Sequence, residues 1–204
     1  MEELIRKITD LFFKYGVKSV TMDDIAKELG ISKKTLYLSF TDKKDVVMKS
    51  IEYSISHQFC TIKEKEATSQ VNAIDALLEV SQQLISSQSK VNPNVLFDLQ
   101  KYYPEAWEKI KSFRQEHVYK RIRQNIVQGI SEGLYRNDFN IDVICHLYVS
   151  HIDNSYSELL LKSEIHFEEL LKTLFIYHIR GIASRAGVEF VEVKLLHLKT
   201  QNNI

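Results

Sequence analysis

Turn-forming residues are sparse in this chain: 6 glycines and 2 prolines serve 204 residues. Strand-rich folds spend both on frequent turns, so the sequence favours long helices with few connections. The apolar residues recur at helical spacing. Leu4, Ile8, Leu11 or Phe12, and Tyr15 share one face over residues 2–15, and Gly16 follows as a stop. Thr21-Met22-Asp23-Asp24 has the form of a capping box, opening a short helix that carries Ile25, Ala26 and Leu29 and ends at Gly30. Ser32 is placed to cap a helix from Lys33 to about Phe40, and Asp42 to cap a long one through about Lys65.

Further helices are expected over Ser69–Ser89, Val95–Tyr102, Pro104–Ser131 (with Pro104 in a first turn and Gly133 as the stop), Ile141–Lys162 and Ile165–Ala186. The last is read as bounded by Gly187, and residues 188–204 have mixed periodicity. The expected fold is all-α, with about nine helices. It divides into a three-helix helix-turn-helix domain over 1–50, a helical domain over 51–187 and a tail over 188–204 whose role the sequence does not give. The boundary falls in or just after the helix ending near Lys65, with no flexible linker, so a displacement on one side can be carried to the other.

Charge and cysteine usage exclude several classes. Lys+Arg and Asp+Glu are 27 each, so no global basic excess points to nucleic acid. Cys60 and Cys145 form neither a CxxC nor a Cys/His ligand spacing, so no metal site or disulfide framework is expected and the reducing cytoplasm is the simplest compartment. The start of the chain has no secretory h-region, and the apolar stretch Ile141–Leu161 is interrupted by His146, His151, Asp153 and Glu158; no membrane partner is expected.

Residues 25–40 have the mechanics of a helix-turn-helix. Ala26 is small where two helices must approach, Gly30 sits in a short turn, and Ile31 and Leu36 are apolar plugs. A basic and polar cluster follows at once: Lys33, Lys34, Thr35 and Tyr37, then Lys43 and Lys44. Between Lys33 and Lys49, five lysines face two aspartates, a local net charge of +3 inside a neutral chain. Lysines at the start of the second helix are placed to reach phosphates or base edges. Any one of these residues alone reads as solvated surface or plain core; together, in one register, they point to DNA.

That register, Thr21-x3-Ile25-Ala26-x3-Gly30-Ile31-Ser32-x3-Leu36-Tyr37-x2-Phe40-x2-Lys43-x2-Val46, resembles the N-terminal domain of the TetR family of regulators over residues 4–50. Val46 stands where leucine is usual. The resemblance implies that Thr21 caps the second helix and approaches a phosphate, that Lys33, Lys34 and Thr35 face the groove, and that Tyr37 and Lys43 grip the DNA backbone. Leu38 stands where the family often has a polar or aromatic residue. The segment Ile126-Val-Gln-Gly129-Ile130-Ser-Glu-Gly133-Leu134-Tyr135-Arg136 resembles the family's end of a helix that lines a ligand cavity.

By residue type, Phe97, Tyr103, Trp107, Tyr119 and Tyr148 are candidates to line an apolar pocket, with Asn125 and His151 to orient a ligand, although each taken singly fits a core position better. By resemblance, the helices 141–162 and 165–186 would form a homodimer interface. The implied protein is a repressor released from a palindromic operator by an unknown small-molecule effector. A DNA-binding dimer controlled by a protein partner is the alternative. An enzyme ranks last, because no nucleophile elbow, Gly-rich phosphate loop or HExxH motif is present; no cofactor is expected.

Overall fold

A computed structural model describes residues 1–68, 71–88, 91, 92, 94–150 and 167–201. Among them the regular elements are helices, joined by one isolated antiparallel bridge between Tyr135 and Ala183. The helices are α1 (Glu2–Tyr15), α2 (Met22–Leu29), α3 (Lys33–Ser39), α4 (Lys43–Thr68), α5 (Ala73–Gln88), α6 (Asn94–Tyr102), α7 (Pro104–Phe113), α8 (Tyr119–Ser131), α9 (residues 141–150), α10 (Phe167–Ile182) and α11 (Arg185–Gln201).

Side-chain caps set the N-terminal boundaries. Thr21 Oγ1 accepts the Asp24 N–H at 3.2 Å while the Asp24 carboxylate accepts the Thr21 N–H at 2.8 Å, a complete capping box for α2. Ser32 Oγ accepts the Thr35 N–H at 3.0 Å to start α3. Asp42 and Asn72 do the same for α4 and α5, each accepting an N–H at 2.9 Å. Gly30, with a left-handed φ of 66°, lets the chain turn from α2 into α3 without a Cβ penalty.

Two features depart from the sequence reading. The expected helix from Pro104 to Ser131 contains a π-helical turn, Arg114–Val118, between α7 and α8; such turns occur as short local bulges within α-helices. Gly187 does not bound a helix but lies in the first turn of α11. Ser184 starts α11, its Oγ accepting the Gly187 N–H at 3.1 Å. Glycine is required there by space: a Cβ would stand 2.0 Å from the Leu134 carbonyl oxygen. The segment after Gly187 is therefore a packed helix to Gln201, with Val191 buried and Lys194 paired to Asp75 of α5 at 3.1 Å. Gly129 makes room for the ring of Tyr135.

Apolar burial is organised as two clusters. The first gathers Ile8 and Phe12 of α1, Ile25, Leu36, Phe40 and Val47, and is completed by Val95 and Leu99 of α6 and Ala106 and Trp107 of α7. The second joins Ile74 and Leu77 of α5 to Ile122, Ile126, Cys145, Leu171, Phe175, Ile179 and Val191. Leu96 of α6 packs against both.

Candidate nucleic-acid interface and an apolar cavity

With one residue per 100° of turn, a seven-residue helix that buries Leu36 must present the residues two before and two after it on the opposite side. In α3 these are Lys34 and Leu38, one turn apart, and Leu36 is indeed fully buried. Lys33, Thr35 and Tyr37 flank them and are exposed. The two-helix unit is held rigid from behind by the first core, and Ile31 N–H donates to Ala26 O at 3.0 Å across the turn. An outward polar stripe is thus fixed on a rigid element, as a groove-reading helix requires.

The lysine patch is less free than a count of charges suggests. Lys33 pairs with Asp23 at 2.9 Å, and Lys49 with Asp45 at 3.0 Å. Lys43 donates to the Lys18 carbonyl at 3.0 Å and lies 5.9 Å from the Tyr103 ring centre. Partial burial holds its pKa below the ordinary lysine value. Among the five lysines of this segment, Lys34 and Lys44 have no such partner among the described residues. Thr21 spends its hydroxyl on the capping box, at 2.7 Å from Asp24 Oδ2, and Thr35 shares its hydroxyl with Ser32 at 2.8 Å. The Lys33–Asp23 and Lys43–Lys18 ties join residues ten or more positions apart, on different elements, so the sequence could not announce them, whereas the Thr21, Thr35 and Lys49 pairings are local.

The strap behind this unit is α6. Asp98, buried to 6 % exposure, accepts the Lys18 N–H at 2.8 Å, and Lys18 Nζ donates to the Tyr102 hydroxyl at 3.0 Å. The Asn92 N–H donates to Phe13 O at 2.6 Å. On the other side of the domain, Lys109 of α7 pairs with Glu52 of α4 at 3.3 Å.

The six candidate ligand residues that are described do not converge. Trp107 is buried in the first core and Tyr103 packs against it, beside Val95 and Leu99 of α6. Phe97 is half-buried with the Lys101 ammonium 5.3 Å from its ring centre. Asn125 is committed to structure: its amide donates to Ala73 O at 2.8 Å and accepts from the Tyr135 hydroxyl at 3.2 Å. Tyr119 donates to Asp142 at 2.7 Å, which raises the phenol's pKa and lowers the carboxyl's. His151 lies outside the described residues. Of the six that are described, Tyr148 lines the apolar cavity beside α10.

That cavity, about 310 Å³, opens between α5, α9 and α10. Its walls include Leu84, Ile144, Tyr148, Leu171, Phe175 and His178. Nε2 of His178 is buried with no hydrogen-bond partner among the described residues, and the Tyr148 ring stands edge-on to the imidazole at 4.5 Å between centres. Residue type and aromatic content had spread the candidates from Phe97 to His151; the cavity wall adds Leu171, Phe175 and His178, which share one stripe of α10.

Burial pushes the His178 pKa from 6.5 down to about 4. The unfolded chain therefore binds a proton that the folded chain refuses between those values. Stability is fully present above pH 6.5 and is lost as pH falls toward 4. Between pH 7 and pH 5 this single group should cost about 2 kcal/mol. Urea titrations at the two pH values should show the loss, and His178→Leu should remove that part of it. An equal pH dependence in the variant would mean that the imidazole is not buried as described.

Comparison with known proteins follows the same outline. The family described as bacterial regulatory proteins, tetR family, matches residues 4–48. The HTH-type transcriptional regulator YvaF of Bacillus subtilis is 25 % identical over 185 residues, covering 90 % of this chain and 96 % of its own. In fold, a transcriptional regulator from Cytophaga hutchinsonii is similar with a TM-score of 0.71 at 18 % identity, covering 90 % of this chain and 98 % of that one. The regulator FadR from Bacillus subtilis, solved in complex with stearoyl-CoA, is similar with a TM-score of 0.65 at 16 % identity, covering 88 % and 98 %.

Proposed function

We infer that this chain, whose residues 4–48 match the tetR family of bacterial regulatory proteins, is a TetR-type DNA-binding transcription regulator rather than an enzyme, and we propose that it is a homodimeric repressor released from its operator by a small molecule. The observation that carries the reading is α3 itself: an exposed face bearing Lys34, Tyr37 and Leu38 on a helix locked from behind by a core that also contains α6 and α7. Lys33, Lys34, Thr35 and Tyr37 would meet the DNA. Lys33 would first have to trade its pair with Asp23 for a phosphate, an exchange between exposed partners that costs little. Lys43 has spent one of its three N–H donors on Lys18 O, and Thr21 its hydroxyl on Asp24. Their part is to hold the reading unit, with a phosphate as an added partner for the two Lys43 donors that remain.

Dimerisation through α9 and α10 is supported by Val143, Leu147 and Tyr177, apolar or aromatic side chains left 50–74 % exposed on those helices. A two-fold dimer would read a palindromic site with half-sites about 34–36 Å apart or further. The effector would enter the cavity beside His178. It would be an apolar molecule with one uncharged hydrogen-bonding group, since the imidazole there is neutral at pH 7. The likeness to a fold that holds stearoyl-CoA supports an apolar occupant. Binding would act through α4 and the α6 strap, the two elements that join the cavity-bearing part to the reading unit. We place the division of labour there, with residues 1–50 reading DNA and the rest sensing and pairing, in the cytoplasm where both DNA and metabolites are reached. Control by a protein partner is the second reading, favoured by the modest size of the cavity.

Selection of sites from random duplex DNA, run beside Tyr37→Ala and Lys34→Ala, tests the proposal. An enriched inverted repeat is expected, weakened in both variants, with the salt dependence of binding reduced by about one counterion for Lys34→Ala. Lys43→Ala is the poorer probe, because it also breaks the tie to Lys18 O. No enrichment from the dimeric protein, with and without cell extract metabolites, would sink the DNA-binding reading.

A further inference from the structure

We propose that Leu38 is a specificity residue that reads the C5-methyl group of a thymine in each half-site. The inference rests on the DNA-binding reading above and deepens it. At 82 % exposure, Leu38 is the most exposed large apolar side chain among the described residues. It is not at a frayed end: α3 is capped at its start by Ser32 and followed by the buried Phe40, whose N–H donates to Leu36 O at 3.1 Å. The geometry of the short helix sets Leu38 and Lys34 together at the centre of the face opposite Leu36, so whatever α3 enters meets these two first. The helix is fixed from behind, so Leu38 cannot turn inward without unseating Leu36.

An isobutyl group has no donor or acceptor. It cannot recognise the N7 and O6 of guanine, the N6 of adenine or the N4 of cytosine, and contributes nothing at a phosphate. The one apolar feature on a base edge in the major groove is the thymine methyl group. Beside it, the exposed Lys34 ammonium supplies what leucine cannot, a donor for a phosphate or a neighbouring guanine. A leucine at this point therefore writes a thymine into the operator, and does so by burial of apolar surface alone.

Deoxyuridine differs from thymidine by that methyl group only, which gives a clean test. In the operator recovered by site selection, each thymine is replaced in turn by deoxyuridine, and affinities are measured for the full-length dimer and for Leu38→Ala. At one thymine per half-site the substitution should weaken the native protein roughly four-fold, the value of one buried methyl group. Leu38→Ala should bind the thymine operator more weakly than the native protein, yet be indifferent to the same replacement. Circular dichroism and sedimentation of Leu38→Ala should match the native protein, because the side chain supports neither the core nor the dimer. Specific binding with no thymine whose methyl effect depends on Leu38 would overturn the proposal and leave DNA binding intact. A change of oligomeric state in Leu38→Ala without DNA would overturn it in favour of a protein contact. Absence of any selected site would remove the reading on which both rest.

Discussion

Gly187→Val should lower the melting temperature of the protein by about 6–12 °C, the consequence of roughly 3 kcal/mol of overpacking in a chain of this size. A Cβ at residue 187 would lie 2.0 Å from the oxygen and 3.0 Å from the carbon of the Leu134 carbonyl, and 3.3 Å from Ala183 Cβ. The nearest of these are backbone atoms and cannot swing away as a side-chain tip would. They are also held in place. The Ser184 N–H donates to the same Leu134 oxygen at 2.9 Å, the Arg136 N–H to Ile182 O at 2.8 Å, and the Ser184 hydroxyl to Gly133 O at 2.7 Å. The corner between α10 and α11 is thereby buttoned to the turn after α8, and a side chain at Gly187 has to open it. Gly187→Ala should show the same effect in smaller measure. Calorimetry or thermal circular dichroism decides the matter; an unchanged midpoint for both variants would mean that α11 does not pack against this turn.

The second large effect concerns the strap. Asp98→Ala leaves the Lys18 N–H without its acceptor in a site where the carboxylate is almost fully buried. Loss of a hydrogen bond to a charged group, with an orphaned donor left behind, should cost about 2–3 kcal/mol. Asp98→Asn keeps an acceptor of nearly the same shape and should cost less than half as much. Operator affinity supplies the more telling readout. If α6 positions the reading unit, Asp98→Ala should weaken operator binding at temperatures where the protein is still folded, and should blunt the response to an effector. Equal affinity and response in folded Asp98→Ala would assign transmission to α4 alone.

Much of the N-terminal half was legible because capping is local. Thr21, Ser32 and Asp42 each lie within three residues of the N–H they accept, and a reader of sequence sees both ends of that bond. The same logic could have found α11, since Ser184 stands three residues before Gly187. The glycine drew the eye as a stop when its role was steric, imposed by a carbonyl some fifty residues upstream. Long-range pairing also decided the cavity. Aromatic side chains say that a position is apolar, not which of two cores it joins, so Phe97, Tyr103 and Trp107 could not be separated from Tyr148 by composition. The pairing within the lysine patch was hidden for the same reason: Asp23 and Lys33 meet only because α2 and α3 fold against each other.

The first core has a consequence for how such proteins can be recombined. Val95, Leu99, Ala106 and Trp107 close the apolar face that Ile8, Phe12, Ile25 and Val47 would otherwise expose. A chimera made by cutting at residue 50 would carry the whole reading motif and yet leave its underside wet. The transplantable cassette is discontinuous: the first four helices together with α6 and the opening turns of α7, while the intervening α5 travels with the sensor. If the proposed division of labour holds, substitutions around the cavity leave this seam untouched, whereas a transplanted α6 must still match the loop after α1, where Asp98 accepts the Lys18 N–H.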